Sequence, residues 1–148
     1  MDVQLSQEEA NRLISMLKES LIEELNAPHH RETIEFDVQG DSKKDLFTVS
    51  IFRGGINAGK INYNARIKVN GIILLQLHLN ATNRHFNPDG ELITGSHWHI
   101  YKEGYGHSFA FPAGELTNAS FTESAVAFLE KFNVIRLPTI TEQTEIKG

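Results

Sequence analysis

Between Thr33 and Leu79 apolar side chains recur at every second position, the period of a β-strand with one buried face. Ile34, Phe36 and Val38 alternate with polar residues, Asp41-Ser42-Lys43-Lys44-Asp45 forms a polar turn, and Phe47, Val49 and Ile51 resume the alternation. Ile61, Tyr63, Ala65, Ile67 and Val69 continue it as far as Asn70-Gly71, a dipeptide that tolerates the two positive φ angles of a type I′ turn. Ile73, Leu75, Leu77 and Leu79 then return along the same face. The opposite face of that strand carries Ile72, Leu74, Gln76, His78 and Asn80, so its first half is expected to be covered on both sides. Successive alternating runs joined by polar turns specify an antiparallel sheet.

Two helices are expected to flank it. Ser6-Gln7-Glu8-Glu9 has the form of a capping box, and Leu13, Ile14, Leu17, Leu21, Ile22 and Leu25 follow at spacings of three and four until Pro28. Ser120-Phe121-Thr122-Glu123 is a second box, followed by Ala125, Phe128, Leu129 and Phe132 along a helical stripe. With 148 residues and no repeat, linker or low-complexity segment, the expectation is one α+β domain over 1–148. Its architecture is a curved antiparallel sheet of about five strands between an N-terminal and a C-terminal helix.

The chemistry concentrates in one stretch. Five of the seven histidines lie between His78 and His107, and His97 and His99 stand two apart in a strand-like segment whose Trp98 and Ile100 face the other way. Side chains at i and i+2 leave one face of a strand with Cα atoms about 6.5–7 Å apart, so both imidazoles can converge on one ion at about 2.0–2.1 Å. His85, in the loop 81–95, is a third candidate ligand, and His78, Asp89 or His107 is the candidate fourth. The chain has no cysteine, so a transition-metal site must use imidazole, carboxylate or water. Zinc is the ion this donor set suits. Two exposed strand histidines in a metal-free protein are the plain alternative.

The carboxylates have two readings each. Asp89 sits in Asn87-Pro88-Asp89-Gly90, which reads as a type I turn, where its side chain also suits its own backbone. Glu91 and Glu103 flank the histidines, and either could orient an imidazole or accept a proton from a metal-bound water. Otherwise they are solvated surface acids. His29 and His30, beside Pro28, suit a helix C-terminus. Gly54, Gly59 and Lys60 match the spacing of a phosphate-binding loop, yet Ile61 stands where a magnesium-binding Ser or Thr is needed and a strand follows where a helix should open. The spacing of His97 and His99 also excludes a helical H-E-x-x-H protease motif.

The formal net charge of −5 argues against binding a nucleic-acid backbone, which rewards a basic face. Lys60, Arg66 and Lys68 read as an ordinary solvated strand face. The first residues include acids and no apolar run, and no stretch reaches membrane-spanning length, so a cytoplasmic protein is expected.

The run His85-Phe86-Asn87-Pro88-Asp89-Gly90, with His97-Trp98-His99-Ile100-Tyr101-Lys102-Glu103-Gly104-Tyr105 after it, resembles a family of small, functionally unassigned bacterial and prophage proteins. Their pattern is H-x-N-P-D-G followed by H-x-H-x-Y-x-E-G-Y. The resemblance implies that His85, Asp89, His97, His99, Tyr101, Glu103 and Tyr105 form one site, with Tyr101 and Tyr105 supporting it, and implies no reaction. In size, acidity and setting the chain also resembles phage-encoded anti-CRISPR proteins. That resemblance implies a non-enzymatic inhibitor acting by protein-protein contact on a type II RNA-guided nuclease in the bacterial host. Zinc would then staple the His85 loop to the His97/His99 strand. The competing expectation is a metal-dependent hydrolase with three histidines on zinc and Glu91 or Glu103 as base.

Overall fold

A computed structural model describes residues 5–55 and 59–142. The first element is a helix, α1, over Gln7–Ser15. Strands β1 Lys18–Ser20, β2 Glu24–Asn26, β3 Thr33–Gln39, β4 Leu46–Arg53, β5 Ile61–Ile67 and β6 Ile73–Leu79 follow. A small hairpin of β7 His85–Phe86 and β8 Leu92–Ile93 then leads to β9 His97–Ile100 and β10 Ala110–Pro112. Helix α2 spans Phe121–Lys131, and β11 Val134–Arg136 and β12 Thr139–Thr141 close the described chain.

Eight strands make the main sheet in the order β10-β9-β6-β5-β4-β3-β1-β11, where the sequence suggested about five. The central strands carry the expected alternation, whereas the added ones are too short to show any period. Every neighbouring pair is antiparallel except β1 with β11. The sheet and both helices share one core, in keeping with a single mixed α+β domain.

The buried face is the one the alternation marks. Val38, Val49, Tyr63, Ala65, Leu75, Leu77 and Leu79 are all essentially inaccessible. Helix α2 covers this face: Tyr63 stacks on Phe121 and Phe128, Trp98 stacks on Phe128, and Phe47 meets Phe132 edge to face at 5.4 Å. The start of α2 is a complete capping box, Ser120 Oγ accepting from the Glu123 amide and the Glu123 carboxylate accepting from the Ser120 amide. Leu74, on the opposite face, is also fully buried, so the first half of β6 is covered on both sides.

The N-terminal helix is shorter than its stripe suggests. It stops at Ser15, and Leu17 and Leu21, which the helical reading would bury, are more than half exposed. Residues 18–20 instead form β1, inserted between β3 and β11. Pairing with two partners outweighs the helical periodicity, because it satisfies the backbone on both sides of β1. The Lys18 side chain completes the stop. Its ammonium is buried and donates to the carbonyls of Ile14, Met16 and Phe132 at 2.7–2.9 Å, tying together the C-terminal ends of α1 and α2. The Phe132 ring lies 3.9 Å from Nζ.

The start of α1 is also held from afar. Ser6 Oγ accepts from the Glu9 amide, but the Glu9 carboxylate turns to Arg12 and leaves the box half made. Glu103 serves the next amide along: its carboxylate accepts from the Gln7 amide while its own amide donates to the Gln7 side-chain oxygen, both at 2.8 Å. Tyr101 bonds both backbone groups of Leu5 through its hydroxyl.

The Asn70-Gly71 reversal differs from a type I′ turn. Only Gly71 has positive φ, 78°, and its amide donates to the Ile67 carbonyl, so the turn contains one more residue. A register shift between Ala65 and Arg66 accommodates it.

Candidate metal centre

Strands β6 and β9 lie side by side, with His78 opposite His97 and Gln76 opposite His99. The three histidines therefore leave the same face of two neighbouring strands, the face that α2 does not cover. Their candidate ligand nitrogens all lie within 4.8 Å of one another. Ring centroids are 4.9 Å apart for His97 and His99, 5.1 Å for His78 and His97, and 4.9 Å for His78 and His99. A tetrahedral ion needs nitrogens about 3.3 Å apart at ordinary zinc-nitrogen distances, so the set lies within about 1.5 Å of closing on an ion.

The chemical state of the rings also suits a metal. Nδ1 of His97 lies 2.8 Å from the Gly95 carbonyl, and Nδ1 of His99 lies 2.8 Å from the His107 carbonyl. A carbonyl only accepts, so each Nδ1 carries the proton and each Nε2 presents its lone pair. Burial pushes His99 down to about 3 and His78 down to about 4, with the neighbouring imidazoles adding to both effects. His97 is lowered by burial as well, against the pull of its Gly95 bond. At neutral pH the three rings are uncharged ligands.

His85 stands beside this group on the edge of the β7-β8 hairpin. Its ring centroid is 4.9 Å from that of His99 and 5.9 Å from that of His97, and its Nε2 lies 2.8 Å from the Ser108 carbonyl. Its Nδ1 is thereby the nitrogen left for a ligand. His107 is more distant, 6.5 Å from His99 between centroids, and contributes its carbonyl to the His99 ring. Burial lowers its pKa.

The hairpin carrying His85 is well anchored. The Gly90 amide bonds the Asn87 carbonyl, closing the expected turn, and Asp89 Oδ1 accepts from the Glu91 amide. Asn87 is buried and grips the β10 backbone: Nδ2 donates to the Ala110 carbonyl at 3.0 Å, and Oδ1 accepts from the Ala110 amide at 2.7 Å. The sequence reading did not single out Asn87, whose only signal was its place in the turn motif. Its bonds order the loop independently of any ion.

The remaining motif residues are used elsewhere. Tyr101 and Glu103 hold Leu5 and Gln7, Tyr105 packs edge-on against Phe109, and Asp89 serves its own turn. His30 Nδ1 bonds the Gly55 carbonyl, far from a helix terminus because α1 ends earlier. The Gly54 amide donates to the Lys60 carbonyl, closing the β4-β5 connection. Arg66 pairs with Glu35, and Lys68 pairs with Asp37.

A cleft of about 800 Å³ opens over the histidines. His78, His85, His97, His99 and His107 line it, together with Lys60, Arg84 and the amides of Asn62, Gln76 and Asn83. Among the described residues, no aspartate or glutamate lines it. None of the helices described is long and apolar enough to cross a membrane.

No curated protein and no solved structure matches the chain. Residues 5–134, from the N-terminal tie through β9, α2 and the first residue of β11, match the model of a family of unknown function (DUF6978), and the chain belongs to that family.

Proposed function

We propose that this is a zinc-binding protein that holds one ion on His78, His97 and His99, with the fourth position open to a ligand from the cleft and His85 beside the converging set but outside it. One observation carries the reading: three half-buried or buried imidazoles from adjacent strands converge, and the two on β9 have their outer nitrogens fixed by backbone carbonyls. Uncharged imidazole donors without thiolates suit zinc, and the convergence of His78 with His97 and His99 supports His78, rather than His85, as the third ligand in this reading. Because β6 and β9 are already paired and Asn87 already anchors the hairpin, the ion is read as a functional ligand site more than as a staple.

A binding role accords with the cleft better than hydrolysis does. Glu103 is occupied at the start of α1, Glu91 lies outside the cleft lining, and a hydrolase needs an acceptor for the proton of its metal-bound water. The proposed cellular partner is the type II RNA-guided nuclease implied by the anti-CRISPR resemblance, and the acid excess of the chain suits docking on a basic surface. Elemental analysis and zinc titration test the site: close to one ion per chain is expected, and none in the His97→Ala/His99→Ala double variant. Protein purified without chelator that carries no transition metal and takes up none refutes the reading. The partner is tested by co-elution with the nuclease and stoichiometric suppression of DNA cleavage.

A further inference from the structure

We infer that the cleft binds a phosphate group as the outer ligand of this metal, with Lys60 and Arg84 as its charge partners. The inference rests on the metal reading above and specifies what the site receives. The chain has 19 acidic residues, yet both charged side chains other than histidine in the cleft lining are cations. Uncharged imidazoles leave a zinc ion its full two positive charges. Adding Lys60 and Arg84 gives four formal positive charges around one cavity (2 + 1 + 1).

Such a cavity concentrates its field on whatever anion enters it. Neither cleft cation takes part in the ion pairs that join Glu9 to Arg12, Glu35 to Arg66 and Asp37 to Lys68, and Arg84 lies 5.9 Å from the Phe86 ring centroid. A phosphate dianion matches this charge better than a monoanionic carboxylate. The guanidinium fork and the ammonium point charge are complementary ways of holding its oxygens. Asn62, Gln76 and Asn83 add amide donors and acceptors for a substituent. At about 800 Å³ the cleft has the size of a small-molecule site, so it accommodates an organic phosphate as well as the free ion. With two cations in the cleft and net negative charge over the chain, a small phosphate is favoured over a polyanion.

The test uses the full chain loaded with cobalt(II), whose visible spectrum responds to exchange of a bound ligand. Inorganic phosphate, phenyl phosphate and acetate are titrated in turn. A saturable spectral change with either phosphate, at least tenfold tighter than with acetate, is expected. Preference between the two phosphates identifies the free ion or an ester as the source. Lys60→Met and Arg84→Met should each weaken phosphate binding at least tenfold while one cobalt per chain is retained. No spectral response from fully loaded protein, acetate binding as tightly as phosphate, or unchanged phosphate affinity in both variants overturns the inference and leaves the metal site intact. A chain that takes up no cobalt or zinc overturns the metal reading and this inference with it.

Discussion

Replacing Asn87 with Ala separates what holds the His85 hairpin from what holds the ion. The side chain makes two buried hydrogen bonds to one residue, 3.0 Å to the Ala110 carbonyl and 2.7 Å to its amide. Each such bond contributes about 1 kcal/mol net, and each buried backbone group left without a partner costs about 1–3 kcal/mol. Partial access of water to the edge strand β10 moderates the second cost, so the loss is set at about 3 kcal/mol. For a domain of this length, 1 kcal/mol corresponds to about 2–4 °C, which places the fall in melting temperature at about 6–12 °C. Thermal unfolding of metal-free protein, followed by circular dichroism, measures it without contribution from zinc. A fall under 2 °C would refute the argument that Asn87 anchors the loop. Zinc affinity of the same variant then reports on His85. Little change is expected, because His78, His97 and His99 lie on β6 and β9 outside the hairpin, whereas a loss of about tenfold or more would make His85 a ligand that has lost its support.

Further outcomes follow from the same coordinates. Lys18→Met strands three carbonyls at the ends of α1 and α2 and should cost about 3 kcal/mol, read from urea unfolding at neutral pH. Burial lowers Lys18 to about 7, with Asp41 pulling weakly back, so between about pH 7 and 10.5 the unfolded chain binds more protons than the folded one. Stability should therefore rise with pH across that window by up to about 5 kcal/mol, a rise absent in Lys18→Met; matching pH profiles would contradict it. Chelation of zinc-loaded protein should lower the melting temperature by about 5–10 °C when free zinc had stood at a hundred times its dissociation constant, and no shift after verified removal would mean that the ion does not distinguish folded from unfolded chain. Phe128→Ala should cost about 3–5 kcal/mol in chemical unfolding, because the ring is inaccessible and stacks on both Tyr63 and Trp98.

The long strands were legible because burial on one face imposes a period of two over seven or eight residues, as in β4 to β6. Helix α2 was legible because a capping box and an apolar stripe agree. The stretch after Ser15 misled because Leu17, Leu21 and Leu25 are spaced for a helix, while pairing of β1 on both sides is a tertiary event that local spacing does not encode. At the site, the i, i+2 spacing of His97 and His99 exposed the centre of the cluster. Choosing His78 as their neighbour required the register of β6 against β9, which depends on a hairpin of nine residues inserted between them in sequence. The Tyr101 to Tyr105 motif drew notice for its chemistry-bearing residue types, but Tyr101 and Glu103 secure the N-terminal segment and Tyr105 packs on Phe109.

The tie between Gln7 and Glu103 has a consequence for synthesis on the ribosome. The partners lie 96 residues apart, as do Leu5 and Tyr101. At about 5–20 residues per second, the segment that becomes α1 waits about 5–20 s for the residues that cap it to be made. Nine helical residues are too few to hold together alone in water, so the segment emerges before its partners and settles late. The α1 segment is thus exposed to proteases and chaperones until Tyr101 and Glu103 have been made, and its docking is a late event in folding.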